Sequence, residues 1–211
     1  MKKTKTNLLK HELNLWNSGL NLVAGVDEAG RGPLAGPLVA AAVILDRDSL
    51  INDVALKEYG QIRDSKVVSP KKRELLFDFI IQNAVSYSIV EVSVEDIDKG
   101  GIASANRTAF YNSILGLGVE PEHILTDFFK LPEFEPARQT NLKRGDSLSV
   151  SIAAASILAK VHRDGIMLKM HERWPHYGFD RHKGYGTAFH REMIAKHGPC
   201  EAHRNSFKLL V

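Results

Sequence analysis

The chain has 211 residues, of which 44% are hydrophobic and 25% are charged, the usual proportions of a globular protein with one sizeable core. Its one cysteine, Cys200, excludes an internal disulfide and a cysteine-based zinc site and fits a reducing cytosol. The longest uninterrupted apolar run, Leu38–Leu45, is too short to span a bilayer, so we expect a cytoplasmic protein without a membrane segment.

The net charge of +3 is unevenly distributed along the chain. Residues 141–211 contain 12 Lys and Arg against 6 Asp and Glu, whereas residues 1–140 contain 16 against 19. Seven of the nine histidines lie between His162 and His203. A basic C-terminal third indicates a polyanionic partner, although a solvated helical surface would give the same charge pattern.

Apolar periodicity and helix-boundary residues predict the elements of the first half of the chain. They are, in order, an amphipathic helix over residues 7–17, strands over residues 22–26 and 38–45 with a glycine-rich loop between them, and a polar loop with a helical turn over residues 46–61. Ser69 and Pro70 then mark a helix start, as the N-cap and the first helical residue, before a strand over residues 84–92.

The second half alternates helices with short strands. The pattern predicts a helix that begins at a capping box at residues 93–96, is interrupted by the glycines at 100–101 and ends at Gly116 or Gly118. A strand over residues 123–126 follows, and then an irregular stretch over 134–145 that ends in an edge strand. The last predicted elements are a helix over 151–170, a loop over 177–185 and a helix over 188–197. Strands with hairpin-like spacing therefore precede strand–helix alternation, which predicts an α/β fold with a mixed sheet and helices on both faces. We expect one domain over residues 1–211, with residues 1–20 as an N-terminal extension that holds a short helix.

Asp27 and Glu28 follow the first predicted strand, where burying either charge is unfavourable unless a cation or a donor compensates it. Adjacent strand residues point to opposite faces, so both acids reach one site only if the chain bends, and Ala29-Gly30 would supply the bend. The next residues, GRGPLA, match a dinucleotide fingerprint, which we reject because the loop leads into a strand and not into a helix. Two interpretations remain: a hairpin with two exposed acids, or a divalent-metal site beside a nucleic-acid-binding glycine loop.

Five sequence blocks favour the second interpretation. They are GVDEAGRGPLAGP at residues 25–37, Asp64-Ser65-Lys66, the run over residues 145–164 that contains SIAAASILAK, HKGYGT at residues 182–187, and HRNSF at residues 203–207. In this order the blocks resemble type 2 ribonuclease H (ribonuclease HII) over nearly the whole chain. The resemblance implies the ribonuclease H-like fold, with a mixed central five-stranded sheet flanked by helices and one catalytic domain.

The resemblance assigns catalytic metal-binding roles to Asp27, Glu28, Asp127 and Asp146, with Mn²⁺ or Mg²⁺ as the cofactor. These hard cations prefer oxygen ligands, and a site with two ions roughly 4 Å apart needs several converging carboxylates. Without the resemblance, Asp127 at a strand end would more often be a turn residue, and Asp146 could cap the helix that follows it. Asp164, within the long helix, is interpreted as structural and paired with a nearby Lys or Arg.

The family's substrate contacts correspond to residues of the glycine loop and of the C-terminal third. The Gly-Arg-Gly loop together with Tyr185 is expected to recognise the ribonucleotide 2′-hydroxyl, and several basic residues are candidates for phosphate contacts. The predicted substrate-binding residues are Gly30, Arg31, Gly32, Lys66, Lys183 and Tyr185, and Lys160 and His182 are further candidates. An exposed basic side chain without a ligand is the alternative for each of these basic residues.

One departure from the family pattern concerns the third carboxylate. Glycine usually follows it in the family, whereas Phe128 and Phe129 follow Asp127 here. The backbone conformation after Asp127, and with it the geometry of the metal site, can therefore differ from the family pattern. Gly100-Gly101 also departs from the family's usual helix.

The leading hypothesis is a metal-dependent endoribonuclease that hydrolyses the RNA strand of RNA–DNA hybrids and cuts on the 5′ side of ribonucleotides embedded in duplex DNA, leaving a 3′-hydroxyl and a 5′-phosphate. Its expected partners are these nucleic acids, with no membrane partner, and we expect a monomer. Another ribonuclease H-like nuclease, such as an exonuclease or a resolvase, is an alternative. A non-catalytic hybrid-binding module is a third interpretation, which the four acids oppose because carboxylates facing a polyanion weaken binding unless metals neutralise them.

Overall fold

The computed structural model describes residues 8–51 and 69–210 of the chain. These residues form five strands, β1 (Val23–Ala29), β2 (Leu38–Leu45), β3 (Ala84–Val92), β4 (His123–Asp127) and β5 (Gln139–Leu142). They also form seven α-helices, α1 (Lys10–Asn17), α2 (Arg47–Ile51), α3 (Pro70–Asn83), α4 (Val94–Leu115), α5 (Val150–Arg173), α6 (Phe179–His182) and α7 (Ala188–His197). The predicted block Asp64-Ser65-Lys66 lies outside the described residues.

The five strands form one sheet in the order β3-β2-β1-β4-β5. Strand β2 is antiparallel to both β1 and β3, whereas β4 is parallel to both β1 and β5. The α/β class with a mixed five-stranded sheet is therefore confirmed. Because β1 and β4 are parallel neighbours, their carboxyl ends meet at the same edge of the sheet.

Helices cover both faces of this sheet. Strand β2 is buried along its whole length, and its alternate residues contribute to two separate cores. Val39, Ala41 and Val43 pack in one core with the first half of α5, whereas the residues between them pack in the other core with α4. A strand covered on both faces can be uniformly apolar, which explains the unbroken run LVAAAVIL.

Helix α5 lies unusually close to β1. A Cβ atom at Gly25 would come within 2.1 Å of the Ser151 carbonyl carbon, so this contact requires glycine. The start of α5 is also held by Glu12 of α1, whose carboxylate accepts hydrogen bonds from the Ser149 hydroxyl and the Ser151 backbone N–H. The N-terminal helix, from which the sequence predicted packing alone, thus caps the helix that supports the site.

Several element boundaries differ from the prediction for local reasons. Strand β1 continues through Ala29, three residues beyond the predicted end, because it pairs with β2 as far as Val39. In α4 the predicted interruption is present as a kink at Gly101, with φ of 76°. The predicted loop over residues 177–185 contains the helix α6, which lies between Gly178 and Lys183, two residues in the left-handed conformation. No helix in the described segments is long and apolar enough to cross a membrane.

Candidate active site

The carboxyl ends of β1 and β4 bring Asp27 and Asp127 to one edge of the sheet. Val26 and Thr126 are paired neighbours in the two strands, and the two aspartates are the next residue in each. Asp127 is the last residue of β4, so its side chain lies where the strand opens to the following loop. The parallel pairing therefore places these two acids side by side.

Asp146 is joined to this edge through Asp127. The Oδ1 atom of Asp127 accepts a hydrogen bond of 2.8 Å from the Gly145 backbone N–H. Gly145 begins a short 3₁₀ turn, Gly145–Ser147, in which Asp146 is buried. A Cβ atom at Gly145 would lie 2.5 Å from the Ile152 side chain, so glycine permits the close approach of this turn to α5. The turn thus carries Asp146 to the same region as Asp127.

Asp27 lies in a strongly perturbed electrostatic environment. Its side chain is only 6% exposed. Burial raises its pKa well above the usual value, the negative charge of Glu28 raises it further, and Asp127 adds a smaller effect of the same sign. A hydrogen bond from the Ser156 hydroxyl opposes these effects by stabilising the carboxylate. The negative charges of two neighbouring acids therefore oppose the ionisation of Asp27, which is the electrostatic condition for attracting a cation.

The bend that was expected to turn Asp27 and Glu28 towards one site does not lie at these two residues. Strand β1 stays paired through Ala29, so Asp27 and Glu28 alternate in direction as strand residues do. Within the described segments, no three His, Cys, Asp or Glu side chains stand close enough together to hold a metal ion between them. The four acids therefore do not form a ready-made set of metal ligands in the described segments.

A pocket of about 410 Å³ is lined by one of these acids, Glu28. The rest of the lining comes from the glycine loop, from two helices and from the C-terminal third of the chain. These residues are Ala29, Gly30, Arg31, Gly32, Arg73, Ser156, Lys160 and Tyr185. Tyr185 is 48% exposed, and a Cβ atom at Gly32 would be in ordinary contact with its ring at 3.8 Å. The structure thus brings Tyr185 and the glycine loop together, although more than 150 residues separate them in the chain.

Two pocket residues, Arg73 of α3 and Ser156 of α5, were not among the sequence candidates. Arg73 comes one turn after Pro70 on a helix whose packing against α5 the sequence does not define. Ser156 interrupts an alanine-rich helix face, and that polar substitution is the signal that could have identified it. Both were missed because their roles depend on tertiary packing.

The basic candidates occupy different surroundings. The Arg31 guanidinium lies 4.5 Å from the centre of the Phe129 ring and 3.7 Å from Glu28, with its side chain 42% exposed. Lys160 lines the pocket and forms a 2.6 Å ion pair with Asp164, which is the structural pairing expected for that acid. Lys183 lines a neighbouring groove, and its ammonium binds the Asp180 carbonyl.

His182 faces the backbone. Its Nε2 atom lies 2.7 Å from the Tyr177 carbonyl and its Nδ1 atom accepts from the Gly184 N–H, so both ring nitrogens are occupied. This candidate therefore supports the turn before Tyr185 and does not offer a free donor to a phosphate. Lys66, the remaining basic candidate, lies outside the described residues.

A row of buried imidazoles holds the turn that carries Tyr185. The Cys200 N–H donates to Nδ1 of His203, so Nε2 of His203 carries the proton and donates over 3.1 Å to Nε2 of His190. His190 then carries its proton on Nδ1 and donates over 2.9 Å to the Tyr185 carbonyl. Burial lowers the pKa of His190 to about 4, so both rings are neutral at physiological pH.

Phe128 occupies the position where the resemblance led us to expect glycine. Its φ of 65° lies in the left-handed region, which glycine adopts without strain and which a phenylalanine side chain disfavours. The ring is 62% exposed and makes an edge contact with Phe129 at 5.5 Å between ring centres. The backbone thus keeps the conformation that suits glycine, and the larger side chain is accommodated at the surface.

Comparisons with known proteins identify the family. The family model for ribonuclease HII matches residues 24–210. A relative named ribonuclease HII 1, from Methylibium petroleiphilum, is 50% identical over 188 residues, which cover 89% of this chain and 90% of that protein.

Two solved structures share the fold. The ribonuclease H2 of Pyrococcus horikoshii has a TM-score of 0.73 and 26% identity, covering 89% of this chain and 94% of that one. The ribonuclease HII of Archaeoglobus fulgidus, solved in a complex with PCNA, has a TM-score of 0.71 and 28% identity, covering 89% of this chain and 95% of that one. The chain therefore belongs to the ribonuclease HII family of endoribonucleases, which degrade the RNA of RNA–DNA hybrids.

Proposed function

We propose that this protein cuts the phosphodiester bond on the 5′ side of a ribonucleotide, in RNA–DNA hybrids and in duplex DNA that contains a single ribonucleotide. The products are a 3′-hydroxyl and a 5′-phosphate. The observation that carries the proposal is the raised pKa of buried Asp27, caused by burial and by the charges of Glu28 and Asp127, beside a pocket formed by the glycine loop and Tyr185.

The proposed metal ligands are Asp27, Glu28, Asp127 and Asp146, with Mg²⁺ or Mn²⁺ as the ion. Buried carboxylates that repel one another are stabilised when a divalent cation neutralises them, and oxygen donors suit these ions. Because the four acids are not gathered as a ready-made ligand set, their side chains would have to move closer together to hold an ion. Ions held there would lower the pKa of the attacking water and would offset the negative charge that develops on the phosphodiester.

The pocket residues hold the substrate in this proposal. Gly30 and Gly32 let the backbone approach the ribose closely, and the Tyr185 hydroxyl reads the 2′-hydroxyl while its ring contacts the sugar. Lys160 and Arg73 line the same pocket and contact the phosphates on either side of the cut. The imidazole row that ends at the Tyr185 carbonyl fixes the turn on which that side chain stands.

The experiment uses a 5′-labelled DNA duplex with one ribonucleotide, an all-DNA duplex of the same sequence and a long RNA–DNA hybrid. With Mg²⁺ or Mn²⁺, we expect one cut on the 5′ side of the ribonucleotide, distributed cuts in the hybrid RNA, and none in the all-DNA duplex. Extension by a polymerase and joining by a ligase identify the 3′-hydroxyl and the 5′-phosphate. Cleavage of the all-DNA duplex, or of the 3′ side of the ribonucleotide, would contradict the proposal.

Size-exclusion chromatography with light scattering tests the accompanying proposal of a monomer, for which a mass near 23.4 kDa is expected. A cytoplasmic location is proposed with it, and fractionation of the cells that make the protein tests that point.

A further inference from the structure

Two arginines lie buried beneath the glycine loop. Arg163 of α5 is 1% exposed and Arg204, from the C-terminal segment, is fully buried. They are the two largest fully buried side chains in the described residues. A buried guanidinium is costly unless its donors are satisfied, so the partners of these two groups show what they are for.

Arg204 binds the carbonyl oxygens of the loop. Its Nη2 atom donates to Gly30 at 2.6 Å and to Gly36 at 2.8 Å, its Nε atom donates to Gly36 at 2.9 Å, and its Nη1 atom donates to Arg31 at 3.2 Å. The Arg204 backbone N–H also donates to the Leu34 carbonyl. One side chain thus fixes three peptide groups of the loop that lines the substrate pocket.

Arg163 binds the far end of the loop and joins it to the turn before Tyr185. Its Nε and Nη2 atoms donate to the carbonyls of Pro37 and Ala35 at 2.9 and 3.0 Å. Its Nη1 atom donates to the Lys183 carbonyl at 3.0 Å. Lys183 precedes Gly184 and Tyr185, so Arg163 ties together the two segments that form the substrate side of the pocket.

Neither arginine forms an ion pair within the described residues. Asp164 is near enough to favour the charged form of Arg163, and Asp98 that of Arg204, but the hydrogen-bond partners above are all backbone carbonyls. Burial lowers the pKa of Arg163 to about 10 and that of Arg204 to about 9, so both remain cations at neutral pH. The loop is therefore held from below by two positive charges.

The direction of each bound carbonyl fixes the direction of the N–H group in the same peptide unit. In a planar trans peptide the N–H points away from the C=O, and the described residues contain no cis peptide. Because Arg204 holds the carbonyls of Gly30 and Arg31 on the buried side, the N–H groups of Arg31 and Gly32 point towards the pocket. A loop rich in glycine would otherwise sample other peptide orientations.

We propose that Arg204 and Arg163 are positioning residues for ribonucleotide recognition, which hold the glycine loop so that its amides face the substrate and which keep the loop in register with Tyr185. This inference rests on the proposed function. It adds two residues that need not touch the substrate and act through the loop backbone. The rigid fork of arginine, and not its charge alone, is what the role requires, because one guanidinium binds three carbonyls at once.

The test compares wild type with Arg204→Lys, which keeps the charge but lacks the fork. With Mn²⁺ present, KM is measured for the duplex that contains one ribonucleotide, and the inhibition constant is measured for the all-DNA duplex as competitor. Both constants are independent of the fraction of folded enzyme, so partial loss of stability does not affect them. We expect KM to rise at least about fivefold and the inhibition constant to stay within about twofold of wild type.

Arg163→Lys is the second variant, for the case that Arg204→Lys does not fold, and the same result is expected of it. Arg138→Lys is the matched control, because Arg138 also donates to a backbone carbonyl, that of Pro121, on another part of the surface, and neither constant should change. The inference would be overturned if KM and the inhibition constant were unchanged in a folded Arg204 or Arg163 variant, or if the two constants rose equally. Either result would leave the proposed function standing. A wild-type enzyme that does not cut the ribonucleotide duplex would instead refute the proposed function, and this inference with it.

Discussion

Replacing Asp27 by asparagine should stabilise the metal-free protein, although it removes a proposed metal ligand. Asp27 is 6% exposed and faces the charges of Glu28 and Asp127. At an effective dielectric constant of about 20, two carboxylates about 5 Å apart repel by roughly 3 kcal/mol. The asparagine Oδ1 atom can still accept the Ser156 hydrogen bond. We therefore expect Asp27→Asn to gain about 1–3 kcal/mol, a rise in Tm of roughly 2–10 °C for a domain of this size.

The pH dependence gives the sign of this effect. Because the folded-state pKa of Asp27 is raised, the carboxyl group adds stability while protonated and loses that contribution as the pH rises through its folded-state pKa. The advantage of Asp27→Asn over wild type should therefore grow as the pH rises from the ordinary aspartate pKa of 3.8 towards and through the raised folded-state pKa. Thermal unfolding in EDTA measures it, with Asp78→Asn on the exposed face of α3 as the control. A variant that is less stable than wild type at pH 8, or an advantage that shrinks with rising pH, would refute the electrostatic argument.

Three further predictions concern Phe128, His190 and Tyr185. In denaturant unfolding, Phe128→Gly should be about 1 kcal/mol more stable than Phe128→Ala, because glycine adopts the left-handed backbone conformation without strain. The activity of Phe128→Gly should stay within about tenfold of wild type. An alanine variant of equal stability would show that no strain is stored at this position. Because the pKa of His190 is lowered in the folded state, the wild-type protein loses stability as the pH falls from 6.5 towards 4. The Tm of His190→Gln should therefore fall less than that of wild type between pH 7.5 and pH 5. Equal decreases in Tm would exclude the proposed neutral pair with His203. Tyr185→Phe should lose about 1 kcal/mol of discrimination in favour of a single ribonucleotide. Tyr185→Ala should lose far more activity on a duplex with one ribonucleotide than on a long hybrid. Equal losses of activity on the two substrates would assign Tyr185 a general role.

The sequence predicted most helices and strands because their limits depend on local chemistry. The strand Ala84–Val92 and the helix Ala188–His197 begin and end as expected, since turn residues and helix breakers mark them. The kink at Gly101 was predicted for the same reason, because glycine disfavours a continuous helix. The strand order could not be predicted, since pairing depends on contacts between distant segments.

The candidate site shows the same division. The family motifs named Asp27, Asp127 and Tyr185, and the structure places all three around one edge of the sheet. Arg204 belongs to the block HRNSF, but its place beneath the loop could not be predicted, because its partners are backbone carbonyls about 170 residues away. Phe128 illustrates the reverse case, in which the expected backbone conformation is kept although the residue that usually provides it is absent.

Removing a buried phenylalanine ring costs about 3 kcal/mol or more because of the cavity that it leaves. The Phe128 ring, which is 62% exposed, leaves no closed cavity when it is removed. Its substitution therefore tests the backbone of the turn after Asp127 more than the packing around it.

The central claim is that Asp27 and Asp127 act as metal ligands in ribonucleotide cleavage. The most direct measurement is the single-turnover rate on a duplex with one ribonucleotide, as Mg²⁺ or Mn²⁺ is titrated into wild type, Asp27→Asn, Asp127→Asn and the Asp78→Asn control, each checked for folding by its thermal unfolding curve. We predict no cleavage without the ion, wild-type rates for Asp78→Asn, and losses of more than about a hundredfold in the two ligand variants while both remain folded. Near-normal cleavage by either folded ligand variant, or cleavage in EDTA, would contradict the claim.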